Sequence, residues 1–363
     1  MNIGILIPGF GENEDDWALP VYQNLVRELS KSHDVRVIAL RYPHTTRAYM
    51  YHSTEIYPLG YGAWTRGIRR FNLWGDVVRM VRILRDEKPF DVIHGIWADE
   101  TGALSGWLGK FLHIPSVTTI AGGELVGLPD IGYGLQLSMY SRWVVHQAMK
   151  YNKWVIVPSR MEQTIRKANI ALIPLAVDTK VFYPSDIARK PNHLVHVGSL
   201  IAVKNQKLLL DTMALLEDEI TLDIIGEGVL EAELKDYAQK LGLSHRVRFL
   251  GNLPHPQLRD HYSQAQLNIL TSHHEAFGMV TLEAAACATP TIGTPVGLIS
   301  DDTSFTRSGN NAQELANIIQ SLLSSPTELE AVRQKCLQAV QDKYTIKHIA
   351  DQHTKLYESV QKQ

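Results

Sequence analysis

Two glutamates, Glu275 and Glu283, flank a Phe-Gly turn in the stretch HHEAFGMVTLEAAAC, and this order could serve a ligand with both hydroxyl and phosphate groups. The small residues after Glu283 favour a short helix, which Pro290 and Gly293 would end. The first N–H groups of a helix lack intrahelical partners and lie at the positive end of its dipole, so they attract phosphate. Carboxylates beside such a site are suited to accept hydrogen bonds from sugar hydroxyls. The segment therefore predicts a pocket for a nucleotide sugar.

A second segment that could do chemistry is the loop that carries Lys204 from a buried strand to the next helix. When a nucleoside diphosphate leaves a sugar, negative charge grows on its β-phosphate oxygen. The chain has no DxD-like acidic cluster after a suitable strand to hold Mg²⁺, since Asp15-Asp16 and Asp301-Asp302 lie in unsuitable loops. Fixed cations and helix amides must then neutralise the phosphate. Lys204 is the best candidate, and we expect neither a metal ion nor another cofactor.

Glycines at strand ends mark further positions where a ligand could approach the backbone. Gly198 and Gly226 close two successive strand-like segments, although glycines also end strands for plain turn reasons. Near the start of the chain, Gly9 and Gly11 follow a strand-like segment, as in a dinucleotide fingerprint. That fingerprint needs a third glycine where Glu14 stands, and the neighbouring acids would repel a pyrophosphate.

The stretch HEAFGMVTLEAAACATPTIGTPVG resembles the E-x7-E signature of retaining, metal-independent glycosyltransferases of the GT-B fold, family 4. The resemblance covers nearly the whole chain, in the order glycine loop, Pro174–Pro184 linker, Lys204 loop and Glu275/Glu283 helix. In that fold the glycine loop faces the active-site cleft. The family therefore implies a nucleotide-diphosphate sugar as donor and a sugar, glycan or lipid-linked molecule as acceptor.

The resemblance implies a role for each matching residue. Glu275 would contact the hydroxyls of the donor sugar and Glu283 the ribose, while amides near Phe277–Val280 would bind the diphosphate or the sugar. The loop Asn252–His255 would cover the nucleobase. The donor-side set is Gly9, Gly11, Gly198, Ser199, Lys204, Gly226, Leu253, Glu275, Phe277, Gly278, Met279, Val280 and Glu283.

Three positions depart from the family pattern. Ser199 stands where an arginine usually accompanies the lysine, so either phosphate compensation is weaker or Arg248 or Lys207 supplies it. Ala121 stands where many members have a histidine at the donor sugar, and Ala176 replaces a glycine of the linker. For Ala121 there are two interpretations: a subfamily uses the Ala121–Glu124 loop in its own way, which we favour, or activity is impaired.

The acceptor side is less clearly marked. His94 ends a strand of the first half, where α/β sheets present binding residues, although a histidine there is more often structural. The loop Gly122-Gly123-Glu124 is acidic and exposes its backbone, which would be unusual for a plain connection. We take all four residues as acceptor-side candidates, and Glu124, together with Lys204 and Glu275, as a candidate catalytic residue.

Both halves alternate β-branched runs with helical patterns, which predicts an α/β protein of two Rossmann-like, doubly wound domains. By resemblance these would face each other across a cleft, with an acceptor domain over 1–175, a donor domain over 176–345 and a terminal segment, 346–363, returning to the first domain. The predicted strands are Ile3–Ile7, Val35–Leu40, Val92–Gly95, Ser116–Ile120, Trp154–Pro158, His193–Val197, Thr221–Ile225, Val247–Leu250, Leu267–Leu270 and Thr291–Gly293.

Composition excludes several function classes. A chain of 363 residues with 20% charged residues and a net charge of −2 fits a two-domain globular protein and gives no reason to expect nucleic-acid binding. Cys287 and Cys336 show no metal-binding spacing, which favours a reducing compartment. With no leader-like start and no apolar run long enough to span a bilayer, we expect a cytoplasmic protein, or one peripheral at the inner membrane face.

The region Arg66–Arg85 is rich in arginine and aromatic residues and holds one acid, Asp76. It could be a membrane-surface patch for a lipid-linked acceptor, a site for an anionic acceptor, or a helix with a solvated basic face, the last being the commonest case.

The sequence thus predicts a retaining, metal-independent glycosyltransferase of glycan, glycolipid or polysaccharide synthesis. One alternative is a nucleotide-sugar 2-epimerase of the same fold, which would need acidic and histidine groups at the sugar that the sequence does not locate. Another is a degenerate, non-catalytic sugar-nucleotide binding protein, as Ala121 and Ser199 suggest. Intact Lys204, Glu275 and Glu283 speak against the latter.

Overall fold

The computed structural model describes residues 1–13, 16, 18–62, 68–160, 165 and 169–362, without the side chains of residues 68–70. The chain divides into two compact units: Met1–Pro174 together with Ile346–Gln363 (unit 1), and Leu175–Thr345 (unit 2). No helix in these described ranges is both long and apolar enough to cross a membrane. Glu14 and Arg66 lie outside the described residues.

Unit 1 is built on an eight-stranded sheet that is parallel except for one antiparallel pair at an edge. The strands are β1 (Asn2–Gly9), β2 (Asp34–Tyr42), β3 (Tyr49–Tyr51), β4 (Thr54–Pro58), β5 (Val92–Ile96), β6 (Ser116–Thr119), β7 (Trp154–Val157) and β8 (Ile170–Leu172). Their order is β3-β4-β2-β1-β5-β6-β7-β8. The central β1 and β2 are nearly continuous buried apolar runs, as parallel strands covered on both faces must be.

Four α-helices among the described residues of unit 1 connect these strands, and a fifth comes from the end of the chain. They are α1 (Pro20–Leu29), α2 (Ile68–Glu87), α3 (Glu100–Leu112), α4 (Met139–Tyr151) and α12 (Ile346–Gln361). The terminal α12 packs against α1 and β5 and buries Tyr357 and Val360 completely.

Unit 2 is a six-stranded, fully parallel sheet with strand order β11-β10-β9-β12-β13-β14. Its strands are β9 (His193–Val197), β10 (Thr221–Ile225), β11 (Val247–Gly251), β12 (Leu267–Leu270), β13 (Thr291–Gly293) and β14 (Thr306–Ser308). Its helices are α5 (Gln206–Ala214), α6 (Glu231–Lys240), α7 (Leu258–Gln264), α8 (Met279–Ala286), α9 (Leu298–Asp301), α10 (Ala312–Leu323) and α11 (Pro326–Lys343). Numbered from β9, this is the 3-2-1-4-5-6 order of doubly wound nucleotide-binding sheets.

The predicted α/β class with doubly wound parallel sheets is confirmed, and each predicted strand is present. The prediction omitted β3, β4, β8 and β14; three of these, β3, β8 and β14, are three-residue strands at the edges of the sheets.

Candidate functional site

The predicted donor residues of unit 2 gather at the carboxyl edge of the sheet, where β9 and β12 lie side by side. The strand order reverses direction at this point, so the loops that follow the two strands diverge and leave a crevice, in which doubly wound proteins bind ligands. Ser199 and Lys204 come from the loop after β9, and Glu275 comes from the loop after β12. The topology therefore brings Lys204 and Glu275 together although they are 71 positions apart in the sequence.

Lys204 and Glu275 form a largely buried ion pair. Lys204 Nζ donates to Glu275 Oε1 over 2.5 Å, and Ser272 Oγ donates to the same oxygen over 2.6 Å. The two charged side chains are only 22% and 11% exposed, which strengthens their attraction relative to a pair on the surface. Among the described residues nothing donates to Glu275 Oε2, so this oxygen is available to a hydroxyl group.

The loops that carry this pair are fastened to one another. The His273 N–H donates to the Val203 carbonyl over 2.8 Å, and Thr271 Oγ1 donates to the Asn205 carbonyl over 3.0 Å. These bonds join the turn before α5 to the segment after β12. The distance between Lys204 and Glu275 is therefore fixed by backbone contacts as well as by their own ion pair.

The buried His196 forms hydrogen bonds that support the same two loops. His196 Nδ1 donates to the Ile269 carbonyl over 2.8 Å, while Nε2 accepts from Gln206 Nε2 over 3.2 Å. The same Gln206 amide donates to the Ser199 carbonyl over 3.0 Å. Burial lowers the pKa of His196 to about 4, and the nearby Lys204 charge acts in the same direction. The neutral imidazole thus joins β9 to β12 near Lys204.

The start of α8 presents backbone amides beside this pair. Gly278 precedes the helix with a φ of 88°, a conformation that side chains rarely adopt. The Phe277 carbonyl is held by the Leu298 N–H over 2.7 Å, which fixes the turn between Glu275 and the helix. The N–H groups of Met279 and Val280 occupy the first helical positions, where the backbone has no intrahelical acceptor.

Glu283 lies farther along α8 and is only 5% exposed. Its Oε1 is 2.8 Å from His255 Nε2, and its Oε2 accepts from the Tyr262 hydroxyl over 3.2 Å. Burial raises the pKa of Tyr262 well above its ordinary value, and the Glu283 charge adds to this effect. The sequence reasoning missed His255 and Tyr262 as partners of Glu283, and the only available signal was a histidine at the end of the loop expected to cover the base.

A cavity of about 270 Å³ lies at the carboxyl ends of β9, β10 and β11. A Cβ atom on Gly226 would lie 2.2 Å from the Gly198 carbonyl oxygen, so the two loops can approach this closely only with glycine there. The cavity residues are Val197, Gly198, Ser199, Ile225, Gly226, Glu227, Asn252, Leu253 and Leu258. Four predicted donor-side residues therefore line one cavity: Gly198, Ser199, Gly226 and Leu253.

The two basic residues considered as substitutes for the missing arginine at Ser199 are engaged elsewhere. Arg248 makes two bonds of 2.8 Å to the carboxylate of Asp223, and Lys207 pairs with Glu233 over 2.5 Å. Lys204 therefore remains the best candidate cation for a phosphate.

In unit 1, Glu124 is turned inward. Its carboxylate is fully buried and accepts from the backbone N–H groups of Ala121, Gly122 and Ala98 over 2.8, 2.6 and 3.3 Å. Burial raises the pKa of Glu124, while the amide bonds counteract this shift. The carboxylate thus holds the loops after β5 and β6 together, which favours a positioning role over the predicted direct contact with the acceptor. Gly122 and Gly123 belong to the loop that it shapes.

His94 is also buried, and both of its ring nitrogens are used inside unit 1. Nδ1 lies 2.8 Å from the Tyr357 hydroxyl of α12, and Nε2 lies 2.7 Å from Thr119 Oγ1. Burial lowers the pKa of His94 well below its usual value. This geometry argues for a structural role in docking α12 rather than for the predicted acceptor contact.

The glycine loop of unit 1 is closely packed. A Cβ atom on Gly9 would lie 3.1 Å from Tyr42 Cβ, and one on Gly11 would lie 2.0 Å from Gln23 Nε2. Asp16 accepts from the Tyr42 hydroxyl over 2.6 Å and from the Glu12 N–H over 2.9 Å. In this loop, therefore, the glycines make room for protein groups, and the Asp16 carboxylate is held by hydrogen bonds.

Within the described ranges, no three His, Cys, Asp or Glu side chains converge as a group that could hold a metal ion.

Comparison with known families divides the chain in two. Residues 21–181 match the model described as Glycosyltransferase Family 4, and residues 178–339 match that of Glycosyl transferases group 1. The chain is 28% identical over 260 residues to glycogen synthase of Mycobacterium tuberculosis, covering 65% of this chain but only 61% of that enzyme. It is 23% identical over 308 residues to N-acetyl-alpha-D-glucosaminyl L-malate synthase of Bacillus anthracis, covering 78% of each.

Solved structures show the same fold. Sucrose-phosphate synthase from Thermosynechococcus elongatus matches with a TM-score of 0.81 at 22% identity, covering 99% of both chains. Anabaena HepE, solved in complex with UDP-glucose, matches with a TM-score of 0.74 at 17% identity, covering 99% of this chain and 100% of that one. With two family models matching its consecutive halves, the chain belongs to the glycosyltransferases of the GT-B fold.

Proposed function

We propose that the protein transfers a sugar from a nucleotide-diphosphate sugar to an acceptor hydroxyl, with retention of anomeric configuration and without a metal ion. The observation that carries the proposal is the Lys204–Glu275 pair at the switch point of unit 2. It offers a cation for phosphate and a carboxylate for hydroxyl groups within one hydrogen bond of each other, beside the amides that begin α8.

The donor is proposed to be a UDP-sugar. Anabaena HepE was solved with UDP, with UDP and glucose, and with UDP-glucose. In the present chain the cavity beside Gly198 and Gly226 would take the nucleotide, and Glu283 would accept from the ribose hydroxyls. The acceptor is a sugar, glycan or lipid-linked molecule, and the loop after β6 of unit 1 would contribute to its binding.

The proposed reaction breaks the bond between the anomeric carbon and the β-phosphate oxygen, and the electron pair stays on that oxygen. Lys204 exchanges Glu275 for this phosphate and stabilises the charge that grows there. The acceptor oxygen attacks the anomeric carbon from the same face, and its proton passes to the leaving phosphate. No carboxylate is assigned as a covalent nucleophile.

A thermal-shift screen of the purified protein against UDP-, GDP-, ADP- and TDP-sugars tests the proposal. A ligand at 100 times its dissociation constant stabilises the folded state by about 2.7 kcal/mol. We expect a UDP-sugar to raise the melting temperature most. If none of the nucleotide sugars shifts the transition, the proposed donor site is wrong.

Activity is expected to survive EDTA, because Lys204 and the amides at the start of α8 would carry the charge compensation that Mg²⁺ provides elsewhere. Initial rates should be measured with the donor found by the screen, before and after chelation and dialysis. A loss of turnover that Mg²⁺ or Mn²⁺ restores would show that a metal takes part and that the phosphate is not held by Lys204 alone.

A further inference from the structure

Three helices of unit 1 bring a set of aromatic rings together at the surface. The ring of Trp74 on α2 lies 5.1 Å from Trp107 on α3 and 6.4 Å from Trp143 on α4, in a stacked arrangement with the latter. Phe71 and Tyr140 extend the set at either side, at 6.2 Å from Trp74 and 6.3 Å from Trp143. We call these five residues the aromatic surface.

Much of this surface is in contact with solvent. Phe71 is 71% exposed and Trp143 is 46% exposed, and Met139, one helical turn before Trp143, is 80% exposed. Leu137, just before α4, is 43% exposed. A contiguous group of large apolar side chains at the surface usually marks a binding face rather than a packing accident.

The charges around the aromatic surface are mainly positive. Helix α4 contains no acidic residue, and Arg142, next to Trp143 in the sequence, is exposed. On α2, Arg82 and Arg79 are exposed, and Arg79 meets Asp76 only at 3.9 Å with both side chains well solvated. Such exposed cations are free to meet a negatively charged partner.

We propose that the aromatic surface, with Arg79, Arg82 and Arg142, docks the protein on an anionic lipid bilayer. Exposed aromatic rings favour the headgroup level of membranes, and Phe71 and Trp143 would make this contact. The other three rings are partly buried and support them from within, since the Trp74 N–H is buried and the Tyr140 hydroxyl donates to Glu100. Arginine side chains nearby add attraction to anionic headgroups. A glycan would use flat rings together with polar partners, whereas Met139 and Leu137 add flexible apolar chains that suit the acyl boundary.

The test is co-sedimentation of the full chain with vesicles of phosphatidylglycerol and phosphatidylcholine, and with vesicles of phosphatidylcholine alone. Two double variants probe the surface: Phe71→Ser with Trp143→Ser, and Arg82→Gln with Arg142→Gln. Matched controls lie on unit 2: Leu215→Ser with Val229→Ser, where the side chains are 46% and 89% exposed, and Lys240→Gln with Lys335→Gln. The arginine variant and both controls replace exposed residues and should keep the melting temperature of the parent protein. Trp143→Ser also removes ring contacts with Trp74 and Tyr140, so vesicle binding of that variant is measured well below its own melting temperature.

The parent protein should bind the anionic vesicles at least ten-fold more tightly than the neutral ones, and added salt should weaken this binding. Each surface variant should lose ten-fold or more in affinity, and the control variants should stay within about two-fold of the parent. Absence of vesicle binding, or equal binding by parent and surface variants, would overturn the proposal. So would a dimer on size-exclusion chromatography that only the Phe71/Trp143 variant abolishes, because the surface would then join two copies of the chain.

Discussion

Replacing Lys204 with alanine is expected to lower kcat/KM for the donor by ~100-fold or more, which is the scale for losing one preorganised group at a developing charge. The substitution removes the cation assigned to the β-phosphate, whereas Arg248 and Lys207 lie beside other carboxylates, Asp223 and Glu233, and not beside Glu275. It also leaves Glu275 without its cationic partner, so the pocket becomes more negative by one unit. Initial rates at varied donor concentration give the effect.

Lys207→Ala is the matched control for this experiment. Lys207 lies three positions further along the same segment, but it is about half exposed and bound to Glu233. Its loss should leave kcat/KM within about two-fold of the parent enzyme. Turnover of the Lys204 variant within three-fold of the parent would exclude Lys204 as the group that stabilises the leaving phosphate.

The two glutamates should respond differently to removal of their charge. Glu275→Gln is expected to act mainly on kcat, by ~100-fold, because a carboxylate beside the reacting sugar helps most when the ring gains positive charge. The variant leaves Lys204 without its ion-pair partner, so binding of the donor diphosphate should be maintained or become tighter. KM for the donor should therefore not rise.

Glu283→Gln is expected to act mainly on KM for the donor, with a rise of about tenfold, the scale for a hydrogen bond to a charged group. The ribose contact is the same before and during the reaction, so its loss weakens the ground state and the transition state alike. His255 and Tyr262 contact different oxygens of Glu283, so the amide oxygen of the variant keeps one of these contacts while the amide nitrogen faces the other group. The melting temperature of the variant should be measured together with KM.

Both variants should be assayed at saturating acceptor, with Glu233→Gln as an exposed control. A fall in kcat for the Glu283 variant together with a rise in KM for the Glu275 variant would exchange the two roles. If neither parameter changes by three-fold in either variant, the donor does not bind at these residues.

Part of this site could be predicted from the sequence because a parallel sheet places all its strand ends at one edge. Lys204 follows one buried strand and Glu275 follows another, so their meeting required only that those strands be neighbours, as the doubly wound order makes them. Gly226 and Gly198 could be predicted for the same reason. The family and the fold class were likewise recognisable from the motifs.

The remaining contacts depend on packing that local patterns do not encode. His94 forms a hydrogen bond with Tyr357, which is 263 positions away in the sequence. The position of His94 at the end of a strand does not indicate that the terminal helix covers it. Glu124 lies in a glycine-rich loop, where an acid would be expected at the surface. Its carboxylate is instead buried and accepts from three backbone N–H groups. The His255–Glu283 contact depends on how α7 and α8 pack, which the spacing of either segment does not reveal.

The most direct test of the central claim is the configuration of the product. With the donor found by the thermal-shift screen and an accepted acceptor, proton NMR of the early reaction mixture reports the anomeric coupling of the newly formed glycoside. The account predicts a glycoside with the same anomeric configuration as the donor, formed together with one free nucleoside diphosphate. An inverted anomer would contradict the same-face reaction, and a nucleotide sugar changed only at C2 would instead identify an epimerase.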